Sequence, residues 1–101
     1  MDAAKVKEVI ARYRDFFEIE HISKNDFPHD ELPDPSFDYT AGENVLSHCH
    51  GMLDKMEKFL EEGRLEKTFR WLGFVQGCLW TMGQLTLQEL MDHNKSEEKT
   101  A

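Results

Sequence analysis

Five histidines and two cysteines are the side chains of this sequence that could support metal binding or nucleophilic catalysis. His48 and His50 flank Cys49, but residues two apart on a helix point about 200° apart, so these histidines cannot bind one ion together. His50 and Asp54 are four residues apart and could share an ion, with His29 as a third ligand. No C-x-x-C or H-E-x-x-H spacing supports such a site, so neither a metal nor a cofactor is predicted.

A catalytic nucleophile would have to be Cys49 or Cys78 beside a histidine, or Ser47 beside His48. Cys49 lies on the apolar stripe of a predicted helix, where a thiol is expected to be inert. The sequence contains no glycine-rich phosphate loop, nucleophile elbow or dinucleotide fingerprint. Because no set of acid, base and oxyanion donor emerges, the sequence predicts a protein that is not an enzyme.

A small basic and aromatic group offers a different chemistry, the binding of an anion. Arg64, Lys67 and Arg70 recur at a spacing of three residues, and Trp71 follows Lys67 by four residues. On a helix such groups could hold a phosphate or a nucleotide, although acids among them favour ordinary surface salt bridges. Arg70 is expected to pair with an aspartate of the acidic loop, or else with an external anion. The candidate ligand-binding residues are Arg64, Lys67, Arg70, Trp71 and Gln76.

The formal net charge of −8 is concentrated in one part of the chain. Residues 15–43 contain nine acidic side chains and one basic side chain, whereas the remaining residues contain eleven of each. Nucleic-acid affinity depends on clustered lysine and arginine, so direct nucleic-acid binding is not expected. The acidic segment leaves open a basic partner, for which the candidate loop residues are Phe27, His29, Asp30 and Asp34.

Cysteine content and the N-terminal stretch indicate the compartment. Two cysteines are too few for the disulfide framework of a small secreted domain. The stretch MDAAKVKEVI lacks the apolar run of a signal peptide. The sequence therefore predicts a cytoplasmic protein with free thiols.

Apolar residues at helical spacing predict three main helices. The first covers residues 2–18, and a loop of about twenty residues with three prolines and most of the acidic excess follows it. The second helix begins at a capping box of Thr40 and Glu43 and ends at Gly63. The third covers residues 64–82 and packs back on the second as an antiparallel partner.

A short fourth helix over residues 87–93 is indicated by a second capping box, formed by Thr86 and Glu89. Residues 95–101 are expected to be a disordered tail. The sequence therefore predicts one all-α domain over residues 1–94. This domain is a small bundle of three main helices and one short capped helix, with a long acidic proline-containing loop between the first two.

The third predicted helix is unusual because no charged side chain occurs from Trp71 to Gln88, a stretch of 18 residues. Glycines, glutamines and threonines interrupt this stretch, which argues against a membrane span. A helix that is apolar or small on nearly every side must be covered all round, so one face is predicted to contact another copy of the chain. Its glycine row permits a close helix crossing, either between copies or within the chain. The predicted interface residues are Phe69, Gly73, Phe74, Gly77 and Trp80.

Residues 62–80 form a motif, EGRxEKxFRWLGFxQGxLW, that resembles small uncharacterised helical proteins encoded by tailed bacteriophages and prophages. Phe27 to Asp30 and Leu90 to Asn94 also resemble that group. The resemblance implies the cytoplasm of an infected bacterium and no assigned activity. It further implies a role in binding either a host protein or a signalling molecule of host defence.

Three functions are consistent with these observations. The first is a non-enzymatic helical binding module that forms a homo-oligomer through residues 64–82 and antagonises a host defence factor. The second is an oligomeric sponge that binds a phosphate-bearing nucleotide signal between subunits. The third is an acidic mimic that covers a basic partner surface with residues 15–43.

Overall fold

The structure is a computed structural model that describes residues 1–30 and 39–95, without the side chains of residues 39–43. The four helices are α1 (Ala3–Ile19), α2 (Tyr39–Glu61), α3 (Leu65–Thr81) and α4 (Leu87–Asn94). The described residues contain no β-strand, which confirms the all-α prediction. Residues 31–38 of the predicted acidic loop and residues 96–101 of the predicted tail lie outside the described residues, and so do the side chains of the predicted Thr40–Glu43 capping box.

Local hydrogen bonds end α2 and begin α4 at the predicted positions. The Arg64 amide donates to the Phe59 carbonyl at 2.8 Å, and Gly63 between them has a φ of +76°. This left-handed turn is the expected glycine stop, and it reverses the chain into α3. At α4, the Glu89 amide donates to the Thr86 hydroxyl at 3.0 Å, and the Thr86 amide donates to the Glu89 carboxylate at 2.9 Å. The predicted capping box is therefore confirmed.

The core lies where α1 and α3 both pack on α2 and contact each other, with α4 closing one end against α1. Each helix contributes one stripe of apolar side chains at helical spacing, as expected for an amphipathic bundle. The most deeply buried large side chains are Tyr13, Phe17, Ile10, Leu53, Met56 and Leu79. A chain of this size buries only a small core, so its stability is expected to be marginal.

Residues 22–27, here called the docked segment, leave the end of α1 and run along α2 without regular secondary structure. The Asn25 amide donates to the Ser47 carbonyl at 3.1 Å, and His50 donates from Nδ1 to the Ile22 carbonyl at 2.7 Å. These bonds satisfy backbone groups that would otherwise lack partners. Side-chain ion pairs add to this docking: Lys24 with Asp54 and Lys55 with Asp26, each at 3.1 Å.

Gly51 permits the docked segment to approach α2 closely. A Cβ atom built at Gly51 would lie 2.7 Å from the Asn25 carbonyl oxygen. Any larger side chain would therefore push the backbone of the segment away from the helix. The docked segment and α2 together form one side of the candidate site.

Candidate functional site

A groove of about 330 Å³ lies between helices α2 and α3 and residues 26–29, which begin in the docked segment and continue past it. It brings together residues predicted for three separate roles: ligand binding, self-association and partner binding by the loop. The groove is lined by Asp26, Phe27, Pro28, His29, His48, Met52, Lys55, Arg70, Trp71 and Phe74.

His48 occupies the centre of the aromatic side of the groove. Its ring meets those of Phe27, His29 and Phe74 edge to face, with centroids 5.9, 6.3 and 6.4 Å away. The Phe27 amide donates to His48 Nδ1 at 3.2 Å, which requires an unprotonated Nδ1. Burial lowers the pKa of His48 and outweighs the attraction of Asp26 for its charged form. At neutral pH, His48 is therefore a neutral ring with its proton on Nε2.

Two cations, Lys55 and Arg70, line the groove beside one carboxylate, Asp26. Lys55 Nζ lies 3.1 Å from the Asp26 carboxylate, and this hydrogen bond lowers the pKa of Asp26. Arg70 pairs with Glu66 one helical turn earlier at 3.3 Å, and the Glu66 side chain is 90% exposed. Such an exposed pair is weak, so the Arg70 guanidinium can exchange this partner for another anion.

The expected pairing of Arg70 with a loop aspartate stays a prediction, because residues 31–38 of the acidic loop lie outside the described residues. Arg70 is exposed, and within the described part of the chain its acceptor is Glu66. The reason is that Arg70 lies on the same outward side of α3 as Gly73 and Gly77, which are also exposed. Asp30 is exposed as well, and Asp34 lies outside the described residues.

Arg64 and Lys67 contact aromatic rings beside the groove. Lys67 Nζ lies 4.5 Å from the ring centroid of Phe59 and 5.8 Å from that of Trp71. The Arg64 guanidinium lies 5.3 Å from the Phe59 centroid, and the Phe59 and Trp71 rings meet edge to face at 4.8 Å. The predicted proximity of Lys67 and Trp71 is thus confirmed. Phe59, near the end of α2, thus lies beneath both cations.

Gln76 is separated from the other predicted ligand-binding residues and belongs to a polar network on another side of α3. Its amide donates to the Tyr13 hydroxyl at 3.0 Å and to Asn94 Oδ1 at 2.7 Å, and Asn94 donates back at 3.1 Å. The Tyr13 hydroxyl and His93 Nδ1 share a further hydrogen bond at 3.0 Å. Burial raises the pKa of Tyr13 and lowers that of His93. Gln76 therefore joins α4 to α1 and α3.

Four of the five predicted interface residues are exposed together on α3, and we call Gly73, Phe74, Gly77 and Trp80 the α3 face. Phe74 is 53% exposed and Trp80 is 51% exposed. A Cβ atom at either glycine would have no heavy atom within 4 Å, so the alternative of close packing within the chain is wrong for the described residues. Phe69 differs because it is half-buried and packs against the core.

The side chains considered for metal binding and nucleophilic chemistry have other partners. His50 donates to a backbone carbonyl of the docked segment, and Asp54 accepts from Arg14 at 2.8 Å. Within residues 1–30 and 39–95, no group of three or more histidine, cysteine, aspartate and glutamate side chains could hold a metal ion. The neighbouring Cys78 thiol, together with burial, raises the pKa of the Cys49 thiol, which opposes formation of a reactive thiolate.

Comparison of the chain with protein-family models, with curated proteins and with solved structures finds no match. None of the helices in the described ranges is both long enough and apolar enough to cross a membrane. Within the described residues, the groove and the α3 face are places where the predicted site residues come together.

Proposed function

We propose that this protein is a non-enzymatic helical binding module whose α3 face binds a second copy of the chain. The observation that best supports the proposal is the half-exposure of Phe74 and Trp80 on either side of an open glycine row. Large aromatic side chains contribute most to binding when a partner removes them from water. We expect Phe74 and Trp80 to be buried when two chains associate.

The distribution of charge favours a second copy as the partner. The net charge of −8 comes from residues 15–43, so surfaces that include this segment repel each other between two copies. From Trp71 to Gln88 the chain has no charged side chain. Two α3 faces can therefore approach without like-charge repulsion, whereas a strongly basic partner would find no carboxylate within this stretch.

The glycine row provides a second, energetic argument. A glycine within a helix costs about 1 kcal/mol relative to alanine. Gly73 and Gly77 are open to space in the described part of the chain, so contacts within one chain do not offset this cost. A symmetric crossing of two α3 helices would place the rows against each other and allow close backbone contact.

The resemblance of residues 62–80 to phage-encoded proteins supports an extension of this proposal. In that setting the assembled module acts in the cytoplasm of an infected bacterium by binding a host protein, such as a defence factor. The exposed residues that continue from the docked segment, among them His29 and Asp30, are then available for that second contact.

Sedimentation equilibrium over a range of micromolar concentrations tests the self-association. We expect a mass of at least twice the 11.9 kDa of one chain, and a monomer for Trp80→Gln. Ile19→Gln is the matched control, because Ile19 is also exposed, at 74%, but lies on α1. A monomeric wild type, or equal loss of association in both variants, would contradict the proposal.

A further inference from the structure

We infer that the groove binds a planar aromatic anion of the nucleoside monophosphate class, with its ring against the aromatic side chains and its phosphate on Lys55 and Arg70. This inference goes beyond the proposed self-association, because every residue that forms the groove belongs to one chain. The volume of about 330 Å³ suits a small ligand, since ligand pockets commonly enclose roughly 300–1,000 Å³.

The aromatic side of the groove suits a flat ring. Phe27, Trp71 and Phe74 reach it from two different parts of the fold, the docked segment and α3. Aromatic side chains stack with any nucleobase, because every base has a π-face. Phe27 is positioned by the bond from its own amide to His48, so this side of the groove is already assembled in the free chain. A ring that enters the groove then needs little rearrangement of the protein.

The cations of the groove suit a phosphate. The chain is strongly acidic overall, yet the groove is lined by two permanent cations and one carboxylate. The Arg70 guanidinium is 63% exposed and its acceptor Glu66 is solvated, so little is lost when Arg70 turns to a ligand. Arginine binds phosphate through paired N–H donors, and lysine adds a point charge. The neutral His48 ring offers a further donor at Nε2.

The ring and the phosphate are both required by this arrangement. Inorganic phosphate would contact Lys55 and Arg70 but leave the aromatic side chains exposed to water. A neutral nucleoside would stack but leave the cations with their weak protein partners. A nucleoside monophosphate satisfies both parts of the groove, and its phosphate distinguishes it from an apolar peptide side chain of similar size.

An NMR titration of the full chain with adenosine 5′-monophosphate tests this inference, with adenosine and inorganic phosphate as separate probes. We expect the nucleotide to shift the amide signals of residues 26–29, 48, 55 and 70–71. Each of the two partial probes should bind at least about tenfold more weakly, since adenosine lacks the charge-assisted hydrogen bonds of the phosphate and inorganic phosphate lacks a base to stack, and each kind of contact is worth roughly 1–3 kcal/mol. Equal affinity for adenosine and its monophosphate, or shifts confined to other residues, would overturn the assignment.

Paired variants separate the groove from general basic charge. Arg70→Gln should weaken binding of adenosine 5′-monophosphate by about tenfold or more and leave the affinity for adenosine unchanged. Arg64→Gln removes a neighbouring cation that is outside the groove lining, and it should have little effect. Since Arg70 is exposed, its replacement does not threaten the fold. Equal loss in both variants would mean that the nucleotide binds to basic charge rather than to the groove.

Discussion

Gly51 is the residue at which a single methyl group should most clearly test the docking of residues 22–27 on α2. In a free helix, Gly51→Ala would stabilise the protein by about 1 kcal/mol, because alanine is the better helix former. In this structure the new Cβ atom would lie 2.7 Å from the Asn25 carbonyl oxygen, well inside the 3.4 Å of an ordinary contact. Because the clashing atom is backbone, it cannot rotate away as a flexible side chain could.

Two responses are available, and both cost free energy. The segment can shift while remaining docked, and overpacking of this kind costs about 1–3 kcal/mol. Alternatively the segment can detach, which breaks the bonds from Asn25 to Ser47 and from His50 to Ile22 at about 1 kcal/mol each. After the gain in helix propensity is subtracted, Gly51→Ala should destabilise the protein by about 1 kcal/mol, and the thermal midpoint should fall by about 4–8 °C.

Gly73→Ala is the matched control, because its Cβ atom would meet nothing within 4 Å. It gains the same helix propensity without a clash, so its thermal midpoint should rise. The difference between the two variants isolates the clash, at about 1–3 kcal/mol. Thermal unfolding by circular dichroism measures both, at a dilution where the chain is monomeric because Gly73 is on the α3 face. Equal stabilisation by the two alanines would refute the close approach of Asn25 to α2.

Two further predictions concern His21 and His48. His21 has a φ of +58° at the end of α1. His21→Gly should therefore relieve backbone strain and raise the free energy of unfolding, measured in urea, by about 0.5–1 kcal/mol. A decrease would contradict that conformation. The pKa of His48 in the fold lies below its ordinary value of 6.5, so the folded protein favours the neutral ring. The resulting contribution to the free energy of unfolding is present above pH 6.5 and is lost as the pH falls from about 6.5 through the lowered pKa. Asp26, His29 and Lys55 are the charged and titratable groups that act on the ring, and burial, assisted by His29 and Lys55, outweighs the attraction of Asp26. His48→Gln should therefore reduce the loss of stability between pH 7.5 and 5.5 measured by urea unfolding, while an unchanged loss would contradict this role.

The features that could be predicted from sequence are those set by neighbouring residues. The stop at Gly63 and the box of Thr86 and Glu89 depend on hydrogen bonds within one turn, and residue types at short spacing determine such bonds. The apolar stripes of the helices are also local, since each follows from a period of 3.6 residues. The order and type of the four helices were accordingly correct.

The groove could not be predicted, because it depends on how distant segments meet. Phe27 is brought beside His48 and Phe74 by the docked segment, whose path is set by hydrogen bonds to α2. A signal for this contact existed in Gly51, a helix-weakening residue in the middle of the best-marked helix. The partners of Gln76 could not be predicted either. From the sequence, Gln76 is only a polar residue within an uncharged stretch, whereas its partners Tyr13 and Asn94 come from other helices.

The most direct test of the proposed function is sedimentation equilibrium of the double variant Gly73→Gln, Gly77→Gln beside the wild type, together with the thermal midpoint of each monomer. Both positions are open, so glutamine should raise the stability of the single chain through its better helix propensity. If two α3 faces meet through the glycine row, the same variant should be monomeric at concentrations where the wild type associates. A variant that associates as strongly as the wild type, or a wild type that remains monomeric, would contradict self-association through α3.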